Sequence, residues 1–152
     1  MKNLIHFSIV FTLISFNSIG QTTFQKVYGG EFMDNGNSVR KTSDNGYFIV
    51  GTTTSFGSGG RDILAIKTNY AGDTVWTKTF GGDFDNEYGF CGQQTSDGGY
   101  IISGVASSFN DPSGDIYVIK LNTAGDTTWT RTYGNSGYEW GSFIQQTSDS
   151  GY

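Results

Sequence analysis

The chain has 152 residues with formal net charge −5, 36% hydrophobic, 16% aromatic and 15% charged, and it carries 23 Gly, one Pro and one Cys. Glycine is about double and charge well below ordinary usage of roughly 7% and 25%, which excludes coiled coils, long amphipathic helices and nucleic-acid binding through a basic surface. The glycines lack the three-residue period of collagen, and the aromatic content is foreign to disordered chains, so the composition describes a β-rich, turn-rich globular protein.

Residues 1–20 read as a secretory signal peptide. Lys2 opens a short positive region, an apolar stretch runs from Leu4 to Phe16, and Ser18-Ile19-Gly20 sets small residues before a cut at Gln21. His6, Ser8, Thr12, Ser15 and Asn17 interrupt the stretch, whereas a membrane anchor needs about 20 apolar residues. Export is therefore expected, to the extracellular space or the cell surface, with no membrane span left after cleavage. His6, the single histidine, leaves with this segment. Without it no Ser-His-Asp or Cys-His arrangement has its base, and zinc has no imidazole ligand. Cys91, the lone cysteine, forms no internal disulfide and is expected to be a small buried hydrophobe.

Residues 21–152 are organised by a repeat of about 52 residues. Phe24-Gln25-Lys26-Val27-Tyr28-Gly29-Gly30 returns as Trp76-Thr77-Lys78-Thr79-Phe80-Gly81-Gly82 and as Trp129-Thr130-Arg131-Thr132-Tyr133-Gly134. Thr42-Ser43-Asp44-Asn45-Gly46-Tyr47 returns as Thr95-Ser96-Asp97-Gly98-Gly99-Tyr100 and as Thr147-Ser148-Asp149-Ser150-Gly151-Tyr152. Such self-similarity marks a repeat architecture. Each unit predicts four short strands, taken in the second unit as 89–95, 100–106, 116–121 and 128–133. The second and third are apolar on both parities, as strands buried on both faces are. The fourth alternates, with Trp129, Arg131 and Tyr133 on one side and threonines on the other, as a half-exposed strand does. Lys78 and Arg131 sit between aromatics and are expected to make cation–π contacts. In the T-S-D-x-G turns the Asp is expected to accept backbone N–H groups, and Gly99 to supply a positive φ.

Two buried inner strands and a wet outer one describe a propeller blade held between neighbours. The fold class expected is all-β: β-propeller blades, each a four-stranded antiparallel sheet. Tyr100-Ile101-Ile102-Ser103-Gly104, Asp115-Ile116-Tyr117-Val118-Ile119-Lys120, Gly125 and Trp129 together resemble a kelch-type blade, with Val50-Gly51 and Ser103-Gly104 where kelch carries a double glycine. The T-S-D-x-G turns are similar to the Asp-box hairpins of sialidase-like propellers. The whole pattern looks most like repeat propellers of large exported bacterial proteins, many of which are cargo of type IX secretion. This resemblance covers residues 24–152 and implies architecture, with no catalytic residues to carry over.

The repeats fall at about 31–82, 83–134 and 135–152, the third cut short, and 21–30 matches the fourth strand of a closing blade. Propellers use about 4–8 blades, so the ring is expected to be incomplete, a fragment that needs further blades of a longer chain or a partner chain. Within a four-stranded blade the first-to-second and third-to-fourth turns share one edge. The second-to-third loops and the inter-repeat loops share the other, where variable, function-bearing loops are expected. The inter-repeat loops hold Glu31 and Asp34, then Asp83, Asp85, Glu87 and Tyr88, then Tyr138, Glu139 and Trp140. Carboxylates beside aromatics suit glycan or protein contact; they also read as a solvated acidic surface, and Asp83, Asp85, Asn86 and Glu87 offer oxygens to calcium without EF-hand spacing. No other cofactor is implied. A binding or scaffolding module is the expected function, and a carbohydrate-active hydrolase using these carboxylates is the alternative. In the second-to-third loops, the recurrence of Phe56 and Phe109 predicts packing.

Overall fold

A computed structural model describes residues 23–83, 86–107 and 114–152. The expected signal segment, Asp85 and Phe109 lie outside these residues. The described part is all-β, with no helix among its residues. The first sheet is β1 (Asp34–Lys41), β2 (Tyr47–Thr53), β3 (Asp62–Thr68) and β4 (Thr74–Phe80); the second is β5 (Glu87–Gln94), β6 (Tyr100–Ala106), β7 (Asp115–Leu121) and β8 (Thr127–Tyr133). Each is a four-stranded antiparallel meander whose spatial order follows the sequence. The sheets repeat even their irregularities. The register slips at Gly36/Ser38 in one and Gly89/Cys91 in the other, and again at Lys67/Thr68 and Lys120/Leu121. The two sheets stack as propeller blades and do not close into a ring.

The burial pattern follows from the apolar parity. β3 and β6 are buried along their whole length, and β2 and β7 nearly so, whereas β4 and β8 are half wet. Phe48, Val50, Ile63 and Ala65 of the first sheet share one core with Tyr100, Ile102, Tyr117 and Ile119 of the second. Trp76 and Phe80 pack at its margin. Phe48 is wholly buried with its ring centroid 4.5 Å from that of Tyr100. Burying such a ring contributes about 2–3 kcal/mol, so this seam makes two marginal four-stranded sheets into one stable body. Cys91 is buried in β5, its thiol pointing at the Ile144 carbonyl.

Three expectations need correction. Lys78 does not lie over an aromatic ring; its ammonium pairs with Asp126 at 2.9 Å, because the turn before β8 brings a carboxylate within reach. Arg131 does lie over Trp129, 6.0 Å from the ring centroid. In the T-S-D-x-G turns the positive φ falls one residue earlier than expected, at Asn45, Gly98 and Ser150. The closing glycine is required for another reason: a Cβ on Gly99 would strike the Leu121 carbonyl, as one on Gly46 would strike that of Thr68. Phe56 is not packed away but exposed.

Residues 23–30 form no strand, since no described strand lies alongside to complete a backbone ladder. Their side chains nevertheless hold the positions of a fourth strand. Lys26 pairs with Asp73 as Lys78 does with Asp126, and the Tyr28 hydroxyl donates to the Gly72 carbonyl. Residues 135–152 form no strand either, although their T-S-D-x-G turn closes with the Thr147 N–H on the Gly151 carbonyl.

Candidate functional site

At the tight-turn edge, chemistry serves the fold. The Lys67 ammonium is buried at the end of β3, where it donates to Asp44 at 2.8 Å and to the Thr68 carbonyl at 2.6 Å. Lys120 repeats this with Asp97 and the Leu121 carbonyl. The lysine and the Thr42 hydroxyl draw the Asp44 pKa down to about 2; at Asp97, Thr95 and then Lys120 do the same, also to about 2. Each Asp also accepts the N–H of the closing glycine. These groups lock turns and are not free for a ligand.

The carboxylates at the opposite edge are likewise built into the loops. Asp34, Glu87 and Glu139 occupy one repeat position, and each accepts a backbone N–H from the preceding loop, of Gly30, Gly82 and Asn135 respectively. Asp34 also accepts from the hydroxyls of Thr53 and Ser55. Burial pushes its pKa up, but the hydrogen bonds from Thr53, Gly30 and Ser55 outweigh this and leave it below the usual range. Glu87 is wholly buried, and it faces Asp62 across the α-carbon of Gly81, where any side chain would collide with both. Burial raises the pKa of Asp62. Asp115 and Glu139 repeat this pair across Gly134. Glu31 and Asp83 are exposed, and Asp85 lies outside the described residues. Among the described residues no three Asp, Glu, His or Cys side chains converge as a metal site, and no helix is long and apolar enough to cross a membrane.

The aromatics of these loops do come together. Tyr88 and Phe90, on one side of β5, have rings 7° from parallel with centroids 6.3 Å apart. Phe90 continues onto Trp140 at 5.5 Å and 11°, and Tyr138 lies 5.3 Å beyond. Trp140 and Tyr138 are 60% and 53% exposed. The stripe borders a cleft of about 410 Å³ between the sheets, whose lining includes Asn35, Asn37, Thr54, Arg61, Tyr88 and Phe90. Arg61 lies over the Tyr88 ring, 5.6 Å from its centroid, and donates to the Tyr88 hydroxyl at 3.2 Å. Its backbone bridges to Asn86 and accepts from the Glu87 N–H, so the side chain springs from a fixed base.

Taken loop by loop, the sequence points to Tyr88, Tyr138 and Trp140, and places Asn35 in the same set of loops, but gives no sign of Arg61, Asn37 or Phe90. A signal was present in the repeat itself. Where the second unit has Gly114 the first has Arg61, and one position reads Asn37, Phe90 and Ser142 in successive units. Another reads Asn35, Tyr88 and Trp140. Several residues that break the repeat, Arg61, Asn35, Asn37 and Phe90, line this cleft.

A larger hollow, about 610 Å³, lies against the outer face of the first sheet and is lined by Phe24, Tyr28, Val39, Tyr47 and Ile49. Tyr47 and Ile49 are the counterparts of Tyr100 and Ile102, which bury Phe48 in the inter-sheet core. This outer face repeats in the first sheet the one by which the second sheet packs onto the first.

No family model matches the chain, and no curated protein matches it.

Proposed function

We propose that this chain is part of an exported or cell-surface repeat propeller that binds a ligand rather than transforming one. The carrying observation is the cleft at Arg61, Tyr88 and Phe90, where non-repeated residues collect on a repeated frame. Ligand sites are concave, largely apolar and furnished with a few polar groups that fix orientation. An aromatic stripe ending in the exposed Tyr138 and Trp140 suits the flat faces of sugar rings. Hydrolysis has less support, because Asp34, Glu87 and Glu139 are engaged by backbone N–H groups rather than held free as acid and base. The blade-packing face at Tyr47 and Ile49 is proposed to meet further blades, from a longer chain or a partner.

A glycan array followed by a reducing-sugar assay on every bound glycan tests this reading. Binding without turnover is expected. Turnover of a bound glycan, or an array with no bound glycan, overturns it.

A further inference from the structure

Resting on that binding reading, we infer that the cleft selects a carboxylate-bearing sugar: a uronic acid unit of an acidic polysaccharide, its carboxylate on Arg61 and its ring against the aromatic stripe.

The chain is acidic overall, at −5, yet the cleft presents a guanidinium. Among the described residues Lys26, Lys67, Lys78 and Lys120 each have a carboxylate within 2.9 Å, whereas Arg40, Lys41, Arg61 and Arg131 have none; of these four, Arg61 is the half-buried one and the one that lines the cleft. Its polar side-chain partners are neutral, the Tyr88 hydroxyl at 3.2 Å and the Asn86 amide oxygen at 3.5 Å. The one acid in the cleft wall, Asp34, is engaged by the hydroxyls of Thr53 and Ser55 and by the Gly30 N–H rather than by Arg61. A half-buried guanidinium with neutral company keeps donors for an anion, and its planar fork matches a carboxylate bidentately.

The rest of the wall describes what the anion is attached to. Tyr88 and Phe90 stack nearly parallel, and the stripe they start ends in the exposed Trp140, which offers ring surface to a flat, partly apolar ligand. Asn37 donates its amide to the Gly89 carbonyl at 2.7 Å, which fixes its other atom, an acceptor, beside the cleft. The Asn35 side chain, which makes no hydrogen bond among the described residues although its backbone lies in the β1–β2 ladder, adds a donor and an acceptor for hydroxyls. A volume of about 410 Å³ lies within the range of small-ligand sites. The stripe onward to Trp140 and Tyr138 extends this platform toward adjoining sugars of the same chain.

The test is calorimetric titration of the full chain with a tetragalacturonate, with its fully methyl-esterified form, and with a sulfated tetrasaccharide. The acid form is expected to bind at least 10-fold tighter than the ester. Arg61→Gln should abolish that ratio while leaving the weak ester binding, and Tyr88→Leu should weaken both forms together. The ester comparison needs no variant to fold, so it decides the point by itself. Equal affinity for acid and ester, binding of the sulfated sugar alone, or no binding of any of the three overturns the inference. The glycan array separates this from the broader reading: neutral glycans bound there leave a binding module standing without its acidic ligand.

Discussion

Trp76 stands edge-on to Tyr100 across the seam between the sheets, with centroids 5.4 Å apart and planes at 79°. The same contact recurs one unit earlier between Phe24 and Tyr47, at 5.6 Å, and one unit later between Trp129 and Tyr152, at 5.9 Å. An aromatic from the fourth strand of one unit thus caps the second strand of the next. It does so even where residues 23–30 form no strand, so the side chain and not the ladder dictates the contact.

Because Phe48, Trp76 and Tyr100 form one aromatic cluster across the seam, cutting any of them should weaken both sheets together. Phe48→Ala should cost about 3–5 kcal/mol, and the half-buried Trp76 less, about 2 kcal/mol. Urea unfolding followed by far-UV circular dichroism measures this. The wild type should unfold in a single transition, and a Phe48→Ala protein in which one sheet survives the other would show that the seam is not the shared core.

The buried Lys120 and its half-exposed partner Asp97 predict an asymmetry. Asp97→Ala strands an ammonium that keeps only the Leu121 carbonyl, and should cost about 2 kcal/mol. Lys120→Met removes the buried charge and keeps the packed stem, so it should cost less than Asp97→Ala. Denaturant midpoints of the two variants rank them, and the reverse order would mean that the pair is held by the lysine stem alone.

Two sets of carboxylates pull stability in opposite directions with pH. Asp44 and Asp97 have folded pKa values near 2, below the unfolded value of about 3.9. Their contribution is complete above about pH 4 and disappears as pH falls toward 2. Both side chains are well exposed to solvent, so the effect is screened and modest. Asp62 behaves oppositely. Burial raises its folded pKa, so its ionisation opposes folding once pH rises through the unfolded value. Asp62→Asn should therefore raise the melting temperature at pH 7, while Asp97→Asn lowers it. Calorimetric scans of both at pH 7 and pH 3 carry the test; a lower melting temperature for Asp62→Asn at pH 7 contradicts the assignment.

Repetition is why the frame was legible in the sequence and the cleft was not. The strand β6 follows from Tyr100-Ile101-Ile102-Ser103-Gly104-Val105-Ala106 because apolar residues on both parities leave no other place for it than between two neighbours. β5 starts earlier than the apolar pattern suggested, at Glu87, since a charged residue there reads as loop until its loop partner, the Gly82 N–H, is seen. The acids of the inter-repeat loops looked like ligand groups for the same reason: sequence shows a carboxylate but not the N–H it already holds. Arg61 was hidden in a glycine-rich loop, and only the fold carries it over Tyr88.

The T-S-D-x-G turn separates two roles for glycine that the sequence merges. Gly98 has φ +80°, a left-handed conformation that Asn45 and Ser150 adopt at the same position in the other turns. Gly98→Asn should therefore change stability by less than about 1 kcal/mol. Gly99 has no positive φ, but its missing side chain lets the Leu121 carbonyl and the Lys120 ammonium close against the turn. Gly99→Ala drives a methyl into backbone that cannot swing aside, and should cost about 2–3 kcal/mol. The collision also pushes Lys120 off Asp97, so Gly99→Ala should destabilise somewhat less in a Lys120→Met background, while the clash with the Leu121 carbonyl keeps most of the cost. Equilibrium unfolding of the four proteins closes the cycle. Equal effects of Gly98→Asn and Gly99→Ala would refute the division of labour, and full additivity with Lys120→Met would leave the backbone clash as the whole cost.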